Sequence, residues 1–385
     1  MSENKQGKVV IWDLPTRVFH WLLVTAFILA WLSYDDNRFM FLHVFAGYAI
    51  LVLLGFRLLW GIIGTHYARF HTFAHDWRSV TDYLLGLLNG KAMRYLGHNP
   101  AGGWAIFAML VLGLLVSLTG LLVFGGEEGH GPLQGLISYK IGIMSRPVHE
   151  FLAWSMLALT VFHVAGVFIE SLLHRENLIW PMLTGYKEGA AGVSGVRGHH
   201  YLGVSMTVIA IVAALFYFRG YLVETADHLY QPYKGPVMPD NALWRESCSE
   251  CHYAFHPNLL PARSWRKIFE EQHDHFGDDL DLSKETAAKL LEFHVKNASE
   301  SELTEFARKI LYHTPENETP LRITETHYWQ HKHKHINPDY WQHKKVKIKG
   351  NCIACHLDAD LGTYEDSNMR LPKKETAEAN PAPAK

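Results

Sequence analysis

Long apolar runs dominate the first part of the chain and are absent from the second part. The runs lie at approximately 17–34, 41–63, 102–124, 148–171 and 201–223. Each run is long enough, or nearly so, to cross the ~30 Å hydrocarbon core of a bilayer as a helix. No small-residue cleavage site precedes the first run, which is therefore expected to remain as an uncleaved anchor. Residues 1–223 are predicted to be all-α and membrane-embedded.

The second part, residues 224–385, mixes charged and aromatic side chains. Apolar residues recur at i, i+3 and i+4 within 283–297, after a Ser cap, and again within 299–313, which predicts two helices. A shorter amphipathic stretch, 76–89, predicts an interfacial helix in the first part. The tail, 371–385, is rich in Pro, Ala and Lys, and its composition predicts disorder. The second part is thus expected to be a small soluble domain, helical and loop-rich.

Basic residues are distributed unequally between the loops that join the apolar runs. With the N-terminus inside, the loops on that side carry nine lysines and arginines, and the opposite loops carry three. The nine are Lys5, Lys8, Arg69, Arg78, Lys91, Arg94, Arg175, Lys187 and Arg197. The three are Arg38, Lys140 and Arg146. This excess predicts a cytoplasmic N-terminus, and five crossings then place the second part on the periplasmic side of a bacterial inner membrane.

All four cysteines of the chain fall in two C-x-x-C-H pentapeptides, CSECH and CIACH. Two thiols one helical turn apart can each form a thioether to a porphyrin, and the histidine that follows can ligate the iron. A zinc site or a C-x-x-C redox pair is the alternative, but neither requires the trailing histidine in both copies. The motifs therefore predict two covalent haems c. Their thioether bonds are expected at Cys248, Cys251, Cys352 and Cys355, and their proximal ligands at His252 and His356.

Four histidines lie inside the apolar runs, where an ionisable side chain is rare and usually faces the bundle interior. In the predicted topology His20 and His163 lie toward the cytoplasmic side, and His43 and His149 toward the periplasmic side. Each pair can supply both axial ligands of one non-covalent haem b. The two histidines of the fourth run are about 21 Å apart along a helix, so the two sites are stacked across the membrane. A hydrogen-bonded core histidine is the alternative for any one of them, but four at matching depths favour two haems b.

Arg57 is a charged residue within the second run, about a turn and a half from its inner end. Its guanidinium is expected either to snorkel to the cytoplasmic surface or to neutralise a haem propionate. The remaining histidines of this half lie in loops or at interfaces, where solvated histidine is the default expectation, and they are left out of the ligand set. They are His66, His71, His75, His98, His130, His174, His199 and His200.

Several segments of the first part carry a family resemblance. VIWDLPTRVFHW, RLLWGIIGTHYARF, YLGHNPAGGW and HRENLIWPMLTGYK, in this order, resemble the bacterial dihaem cytochrome b family of the b561 type, which includes the membrane subunit of nickel-iron hydrogenases. The resemblance covers about the first 190 residues. It implies a four-helix bundle in which four histidines hold two haems b, with electrons passing between quinone and a partner. The matching positions are His20, His43, His149 and His163, and the fifth run, without histidine, is expected to be a tether.

The second part resembles the dihaem cytochrome c family over about residues 238–365. The segments that carry this resemblance are LWRESCSECHYAFHPNLLPARSW, HFGDDLDL, LRITETHYWQHKH and NCIACH. Members of that family are small periplasmic electron carriers with two bis-histidine haems, and they often serve another small cytochrome c. Carried over by position, the resemblance implies His275 and His333 as the distal ligands.

From the residues alone, the distal positions stay open. Four further histidines between Thr326 and Lys344 could also reach iron, and Met369 could replace a histidine. These four are His327, His331, His335 and His343. His256 lies too close to His252 along the chain to reach the opposite face of the same haem easily. For the rest of this cluster the alternatives are a solvated, aromatic-rich haem surround or adventitious metal binding.

These expectations combine into a line of four six-coordinate irons from the inner leaflet to the periplasm. Filled axial positions favour outer-sphere electron transfer over small-molecule chemistry at iron. No catalytic triad, phosphate loop, flavin fingerprint or nucleic-acid-binding patch is visible, so no nucleic-acid partner is expected. The predicted function is that of a quinol:cytochrome c type oxidoreductase, surrounded by membrane lipid, with quinone and a soluble periplasmic cytochrome c as its partners.

Other functions stay open. A membrane-anchoring relay subunit would carry electrons from a separate periplasmic redox enzyme into quinone, and the hydrogenase-subunit resemblance favours this, whereas the tethered haem c domain counts against it. Superoxide oxidation at the outer haem b would need a basic funnel near His43 and His149, and the loop SYDDNRFMF is not basic. A non-redox haem or metal sensor is least favoured, because four fixed haems exceed what sensing requires.

The expected domain boundaries follow from these assignments. Residues 1–190 form a four-span transmembrane dihaem cytochrome b domain, and 191–237 form the fifth span and a linker. Residues 238–370 form a periplasmic dihaem cytochrome c domain, and 371–385 form the tail.

Overall fold

Helices make up nearly all the secondary structure of the part of the chain that the computed structural model describes. The described residues are 7–189, 195–219, 223–224, 229–230 and 237–373. The chain divides into two units: Met1–Gly126 with Leu136–Tyr221, and Glu127–Gly135 with Leu222–Lys385. Most of the tail predicted to be disordered lies outside the described residues.

The first unit is a bundle of long helices with shorter ones between them. They are α1 (Leu14–Ser33), α2 (Met40–Ile63), α3 (Trp77–Leu88), α4 (Pro100–Leu122), α5 (Tyr139–Leu173), α6 (Ile179–Thr184) and α7 (His200–Phe218). By length and composition α1, α2, α4, α5 and α7 can each cross a membrane, which confirms the five predicted spans. The helix α4 continues as a π-helical turn at Val123–Glu127.

Capping residues fix where the membrane helices begin. Asp13, which is fully buried, accepts a hydrogen bond from the Thr16 amide at 2.9 Å and so caps α1. Its second carboxylate oxygen accepts from Trp60 Nε1 at 3.1 Å and from Thr65 Oγ1 at 2.8 Å. One carboxylate therefore ties the start of α1 to the end of α2. Asn99 caps α4 in the same way, through the Gly102 amide.

Neighbouring helices of the first unit pack in a defined order. The helix α1 packs against α2 and α7, and α4 packs against α2 and α5. A short antiparallel pair, β1 (Gly7–Val10) and β2 (Tyr186–Gly189), joins the two chain ends of the bundle. Large apolar side chains such as Leu32 and Val52 stay exposed on the outer faces, as expected for helices surrounded by lipid.

The second unit consists of short helices around two small cores. Its helices are α8 (Ala242–Cys248), α9 (Ala262–Glu270), α10 (Lys284–Lys296), α11 (Glu305–His313), α12 (His327–His333) and α13 (Pro338–Trp341), and its strands are β3 (Val223–Glu224) and β4 (Leu229–Tyr230). One core gathers Leu260, Trp265, Phe306 and Ile310, and the other forms around Trp244 and Leu290. The helix α9 packs against α10, and α11 packs against α12.

Two of the three predicted short helices are confirmed. The stretch 76–89 forms α3, and 283–297 forms α10, whose cap Ser283 accepts from the Thr286 amide. The helix predicted at 299–313 is wrong over residues 299–304, because α11 begins only at Glu305. Ser299–Ser301 is a separate 3₁₀ turn, and Glu302 after it has φ +50°. That left-handed residue breaks the helical path, and Thr304 then caps α11.

Candidate haem centres

His43 on α2 and His149 on α5 face each other inside the first unit. Their ring centres are 6.2 Å apart. Two imidazoles on opposite sides of one metal, each bound through a nitrogen at about 2 Å, have ring centres about 6 Å apart. The separation therefore fits a shared haem iron. In the structure the two rings are nearly perpendicular, with an interplanar angle of 82°.

Backbone carbonyls hold both of these rings in one tautomer. His43 Nδ1 donates to the Ala30 carbonyl at 2.9 Å, and His149 Nδ1 donates to the Val116 carbonyl at 3.0 Å. A proton on Nδ1 leaves the Nε2 lone pair available to a metal, and such a hydrogen bond raises the basicity of the ligand. Gly120 on α4 permits the approach, because a Cβ at this position would lie 3.0 Å from the His149 ring.

His20 on α1 and His163 on α5 form the second predicted pair. Both side chains are partly buried. His20 Nδ1 is buried and has no hydrogen-bond partner among the described residues. Since buried polar nitrogens are nearly always paired, this orphaned atom fits a site completed by a bound group. His149 and His163 are on one continuous helix, α5, so the two pairs are about 21 Å apart along it.

Arg57 is a buried cation in the first unit. Its side chain is only 4% exposed, and its guanidinium lies 4.7 Å from the centre of the Phe70 ring. Nη1 is buried and has no hydrogen-bond partner in the described part of the chain. A buried cation needs an anionic or hydrogen-bonding partner. These observations favour the propionate role over snorkelling to the surface.

His98 is a buried histidine whose burial sequence reasoning missed. It was expected to be a solvated loop histidine, but its ring lies against Trp12 and Phe73, with ring centres 4.7 and 4.4 Å away. Its Nδ1 is buried and has no partner within the described residues. Burial, together with Arg57 and His163, lowers the pKa of His98 to about 3. The available signal was its position directly before the Asn99 cap, which holds it at the end of the bundle.

In the second unit, His252 and His275 form a pair like that of His43 and His149. Their ring centres are 6.3 Å apart and their planes differ by 31°. His252 Nδ1 donates to the Tyr253 carbonyl at 2.8 Å, which again leaves Nε2 available. A tight turn presents His275: its amide donates to the Asp278 carbonyl, and Phe276 and Gly277 have φ +60° and +105°. Glycine suits the second of these left-handed positions.

His333 and His356 form the other pair of the second unit, with ring centres 6.2 Å apart. His333 Nδ1 donates to the Trp329 carbonyl at 2.8 Å, one turn earlier in α12. Thr326 caps this helix by accepting from the Trp329 amide. His356 follows the 3₁₀ turn Cys352–Ala354. The four cysteines form no disulfide, so all four thiols remain available for thioether bonds.

Two of the competing histidines have other partners. His327 Nε2 lies 3.0 Å from Glu318 Oε2, and His256 Nε2 donates to the Pro239 carbonyl. Met369 forms a backbone bridge to His356. Across the residues that the structure describes, no group of three or more His, Cys, Asp or Glu side chains is arranged to hold a bare metal ion. The geometry brings together the four predicted histidines of this unit in two pairs.

Comparison with known families assigns both halves. Residues 11–185 match the prokaryotic cytochrome b561 family, and residues 244–364 match the dihaem cytochrome c family. The chain joins a cytochrome b561 domain to a dihaem cytochrome c domain. The two predicted resemblances are confirmed, as is the predicted fold of membrane helices followed by a helical domain.

Curated relatives match the cytochrome b561 domain. A "Probable Ni/Fe-hydrogenase B-type cytochrome subunit" of Azotobacter chroococcum is 27% identical over 218 residues, which cover 48% of this chain and 90% of the relative. The corresponding hydrogenase 1 subunit of Escherichia coli K12 is 22% identical, over 49% of this chain and 96% of its own length. The relatives thus span nearly their whole length on the first half of this chain.

Solved structures match the dihaem cytochrome c domain. The diheme cytochrome c from Rhodobacter sphaeroides is 32% identical and covers 34% of this chain and 100% of its own, with a TM-score of 0.30. The diheme cytochrome c from Shewanella baltica is 28% identical and covers 35% of this chain and 96% of its own, with a TM-score of 0.29.

The family assignments establish the general chemistry. The protein is a membrane cytochrome of electron transport that uses haem b in its first domain and haem c in its second. The four candidate ligands of the cytochrome b561 domain lie within 11–185, and those of the dihaem cytochrome c domain lie within 244–364.

Proposed function

We propose that the chain passes electrons between membrane quinone and a soluble periplasmic redox partner, through two haems b and two haems c. The observation that carries this proposal is the recurrence of one histidine spacing. Three predicted pairs have ring centres 6.2, 6.3 and 6.2 Å apart. The fourth predicted pair, His20 and His163, includes a buried nitrogen without a partner among the described residues, His20 Nδ1.

Haem supplies reversible one-electron exchange at iron, and the chain's own residues decide what else can happen there. Two histidines would hold the iron at each site, and an iron held in this way would exchange electrons without binding a substrate. Aromatic side chains line the His333–His356 site: the ring centres of Trp329 and His333 are 4.2 Å apart, and those of Tyr364 and His356 are 5.7 Å apart. Such surroundings suit outer-sphere electron transfer.

The orientation is part of the proposal. The excess of lysine and arginine in alternate loops supports a cytoplasmic N-terminus. Five spans then place the dihaem cytochrome c domain in the periplasm, where haem c is attached. The proposed domains are 1–190 for the transmembrane cytochrome b domain, 191–237 for the fifth span and linker, 238–370 for the cytochrome c domain and 371–385 for the tail.

We place the quinone site beside the His20–His163 pair. His98 is neutral at physiological pH, because its pKa is lowered to about 3, so its unpartnered Nδ1 can accept a hydrogen bond from a quinol hydroxyl. Asn99, the next residue, donates to the Glu170 carboxylate, so a further polar group lies close to His98 in the chain. Arg57 adds a buried positive charge to this part of the bundle.

Stopped-flow reduction of the purified, detergent-solubilised protein by a quinol analogue tests this proposal. The b and c absorbance bands are followed separately. The proposal predicts that the b bands change first and the c bands follow. Reduction of every haem by dithionite, with none by quinol, would contradict it.

A relay function is the second candidate, because the relatives of the first domain are named as hydrogenase subunits. In that case the protein would accept electrons from a periplasmic redox enzyme and deliver them to quinone. Pre-reduced protein mixed with an oxidised quinone analogue distinguishes the two functions. Fast oxidation of the b haems by quinone, together with no reduction by quinol, would favour the relay.

A further inference from the structure

A strongly basic segment adjoins the His333–His356 site. Residues 327–351 contain six lysines and one aspartate, so with neutral histidines the segment carries +5. The whole chain carries −2, which leaves −7 on the remaining residues. The lysines of this segment are exposed. We call Lys334, Lys345, Lys347 and Lys349, with the exposed Ile348 and Ile353, the lysine face.

The lysine face carries exposed apolar side chains as well as charged ones. Ile348 is 60% exposed and Ile353 is 47% exposed. Ile353 is one of the two residues between Cys352 and Cys355 of the CIACH motif, so this apolar surface reaches the point of predicted haem attachment. Transient electron-transfer complexes use small interfaces, so a few apolar residues within a ring of charge are sufficient.

The backbone of the lysine face is held in place from beneath. Val346 is 1% exposed and anchors the segment. Asn351 Nδ2 donates to the carbonyls of Lys345 and Val346, at 2.9 and 3.2 Å. A preformed surface loses less conformational freedom when a partner binds, which favours rapid association.

Aromatic rings connect the lysine face to the candidate ligand His333. Trp329 stacks on the His333 ring, with centres 4.2 Å apart and planes at 14°. Trp341 lies 5.7 Å from Trp329 and 6.0 Å from His333. Lys349 Nζ lies 5.9 Å from the Trp341 ring centre. The rings therefore occupy the space between the iron ligand and the charged surface, and short gaps between packed groups favour electron transfer.

We propose that the lysine face is the docking site for the acidic surface of a soluble electron-transfer protein, and that electrons leave or enter the chain at the His333–His356 site. This inference rests on the proposed function, since it names the surface and the chemistry of the periplasmic partner. The charge concentration argues for an acidic partner: opposite charge accelerates encounter by roughly 10- to 1000-fold at low ionic strength. Added salt screens this attraction over ~10 Å at 0.1 M.

The test uses one soluble cytochrome c in two forms, unmodified with its lysines and succinylated so that the same surface is acidic. Full-length protein in zwitterionic nanodiscs is reduced with dithionite, and its oxidation by each form is followed by stopped flow from low to high salt. Binding of each form is measured separately by biolayer interferometry. The variant Lys345→Glu, Lys347→Glu, Lys349→Glu is compared with Lys284→Glu, Lys289→Glu, Lys296→Glu, which changes the net charge equally through exposed lysines of α10.

The expected result is fast, salt-sensitive oxidation by the succinylated form, roughly tenfold or more slower in the lysine-face variant and little changed in the α10 variant. Binding should weaken in the same variant only. Equal behaviour of the two variants would overturn the proposal, while intact reduction by quinol would leave the proposed function standing. A difference between the two variants that appears only in anionic phosphatidylglycerol nanodiscs, and not in zwitterionic ones, would also overturn it, because the lysines would then bind lipid headgroups.

Discussion

At the scale of single residues, the proton on a histidine ring decides which nitrogen can bind iron. His43, His149, His252 and His333 each donate Nδ1–H to a backbone carbonyl at 2.8–3.0 Å. Every closely facing pair therefore contains at least one ring whose Nε2 is held ready for a metal. The protein orients these rings without a cofactor, because backbone carbonyls of helices and turns accept the hydrogen bonds.

Removal of one membrane ligand should affect one haem b only. His149→Leu takes away a predicted axial ligand while the His20–His163 pair remains, so the haem b content is expected to fall by about half and the haem c content to stay unchanged. The pyridine haemochrome assay measures both. His71→Leu, at an exposed loop histidine, is the control and should retain full haem b. Unchanged haem b in His149→Leu would contradict the assignment of this ligand.

A buried histidine that is not a candidate ligand should make the second unit sensitive to acid. His294 is 2% exposed, and burial lowers its pKa to about 4. The folded state favours the neutral ring over the protonated one. The free energy of unfolding is therefore fully retained above the unfolded pKa of about 6.5, and it decreases as the pH falls toward 4, because the unfolded chain binds the proton more readily. Between pH 7 and pH 5 this loss amounts to about 2 kcal/mol.

His294→Gln tests this expectation, because glutamine cannot titrate. Urea unfolding of the holoprotein, followed at the c bands at pH 5 and pH 7, should show a smaller loss of stability for the variant, by about 2 kcal/mol. The comparison between the two pH values removes any packing cost of the substitution. An equal acid dependence of the variant and the unchanged protein would refute the assignment of this sensitivity to His294.

Sequence alone could select the residue types of the sites but not every partner. The C-x-x-C-H motifs and the histidines within apolar runs have distinctive spacing, so ten candidate positions could be named from the sequence. Both distal positions, His275 and His333, were chosen by resemblance, and five histidines lie within the short segment that contains His333. What distinguishes His333 in space is its place in the last turn of α12, whose start Thr326 fixes. His98 was missed since its burial depends on Trp12 and Phe73, which are far away in the chain.

At the scale of secondary-structure elements, two helices of the second unit offer a matched comparison. Glu305 and Lys309 form an i, i+4 ion pair in α11 whose side chains are only 9% and 8% exposed. Glu285 and Lys289 form the same pair in α10, with side chains 79% and 62% exposed. A buried ion left without its partner is far more costly than an exposed one.

The two substitutions Glu305→Gln and Glu285→Gln should therefore differ in their effect on the free energy of unfolding. Glu305→Gln leaves Lys309 buried without its closest carboxylate and should cost about 3 kcal/mol. Glu285→Gln should cost less than about 1 kcal/mol. Urea unfolding at pH 7 measures both. Equal effects would show that the buried pair makes no special contribution to the stability of α11.

Contacts between the membrane helices give a second element-scale prediction. A Cβ at Gly120 would lie 3.0 Å from the His149 ring, whereas a Cβ at Gly55 on α2 meets nothing within 4 Å. Gly120→Val should displace His149 and reduce retention of one haem b, and Gly55→Val should retain it. Haem b per chain and the low-spin EPR signals measure the difference. Full haem b with unchanged signals in Gly120→Val would contradict this contact.

Element prediction succeeded where the hydrophobic pattern was long and failed where a single residue changed the backbone. The five apolar runs and the amphipathic stretch behind Ser283 carry enough periodic positions to define their helices. The stretch 299–313 has the same periodicity, but Glu302 adopts a left-handed conformation. This residue ends the short 3₁₀ turn Ser299–Ser301, and Thr304 then caps the next helix. Tertiary packing selects such a conformation, and the local pattern does not reveal it.

At the scale of the whole molecule, the two units divide one task. The cytochrome b561 domain carries paired histidines near both ends of its long helices, and the dihaem cytochrome c domain carries two further pairs beside its C-x-x-C-H motifs. Because both domains belong to one chain, the ratio of haem b sites to haem c sites is the same in every molecule. Each polypeptide is therefore expected to hold two haems b and two haems c.

The number of haems b and c per polypeptide can be measured directly, by the pyridine haemochrome assay on the purified full-length protein together with its polypeptide concentration. Equal amounts of b and c haem, with two of each per chain, are the predicted result. An excess of haem b over haem c, or a single haem b per chain, would contradict the assignment of four histidine pairs.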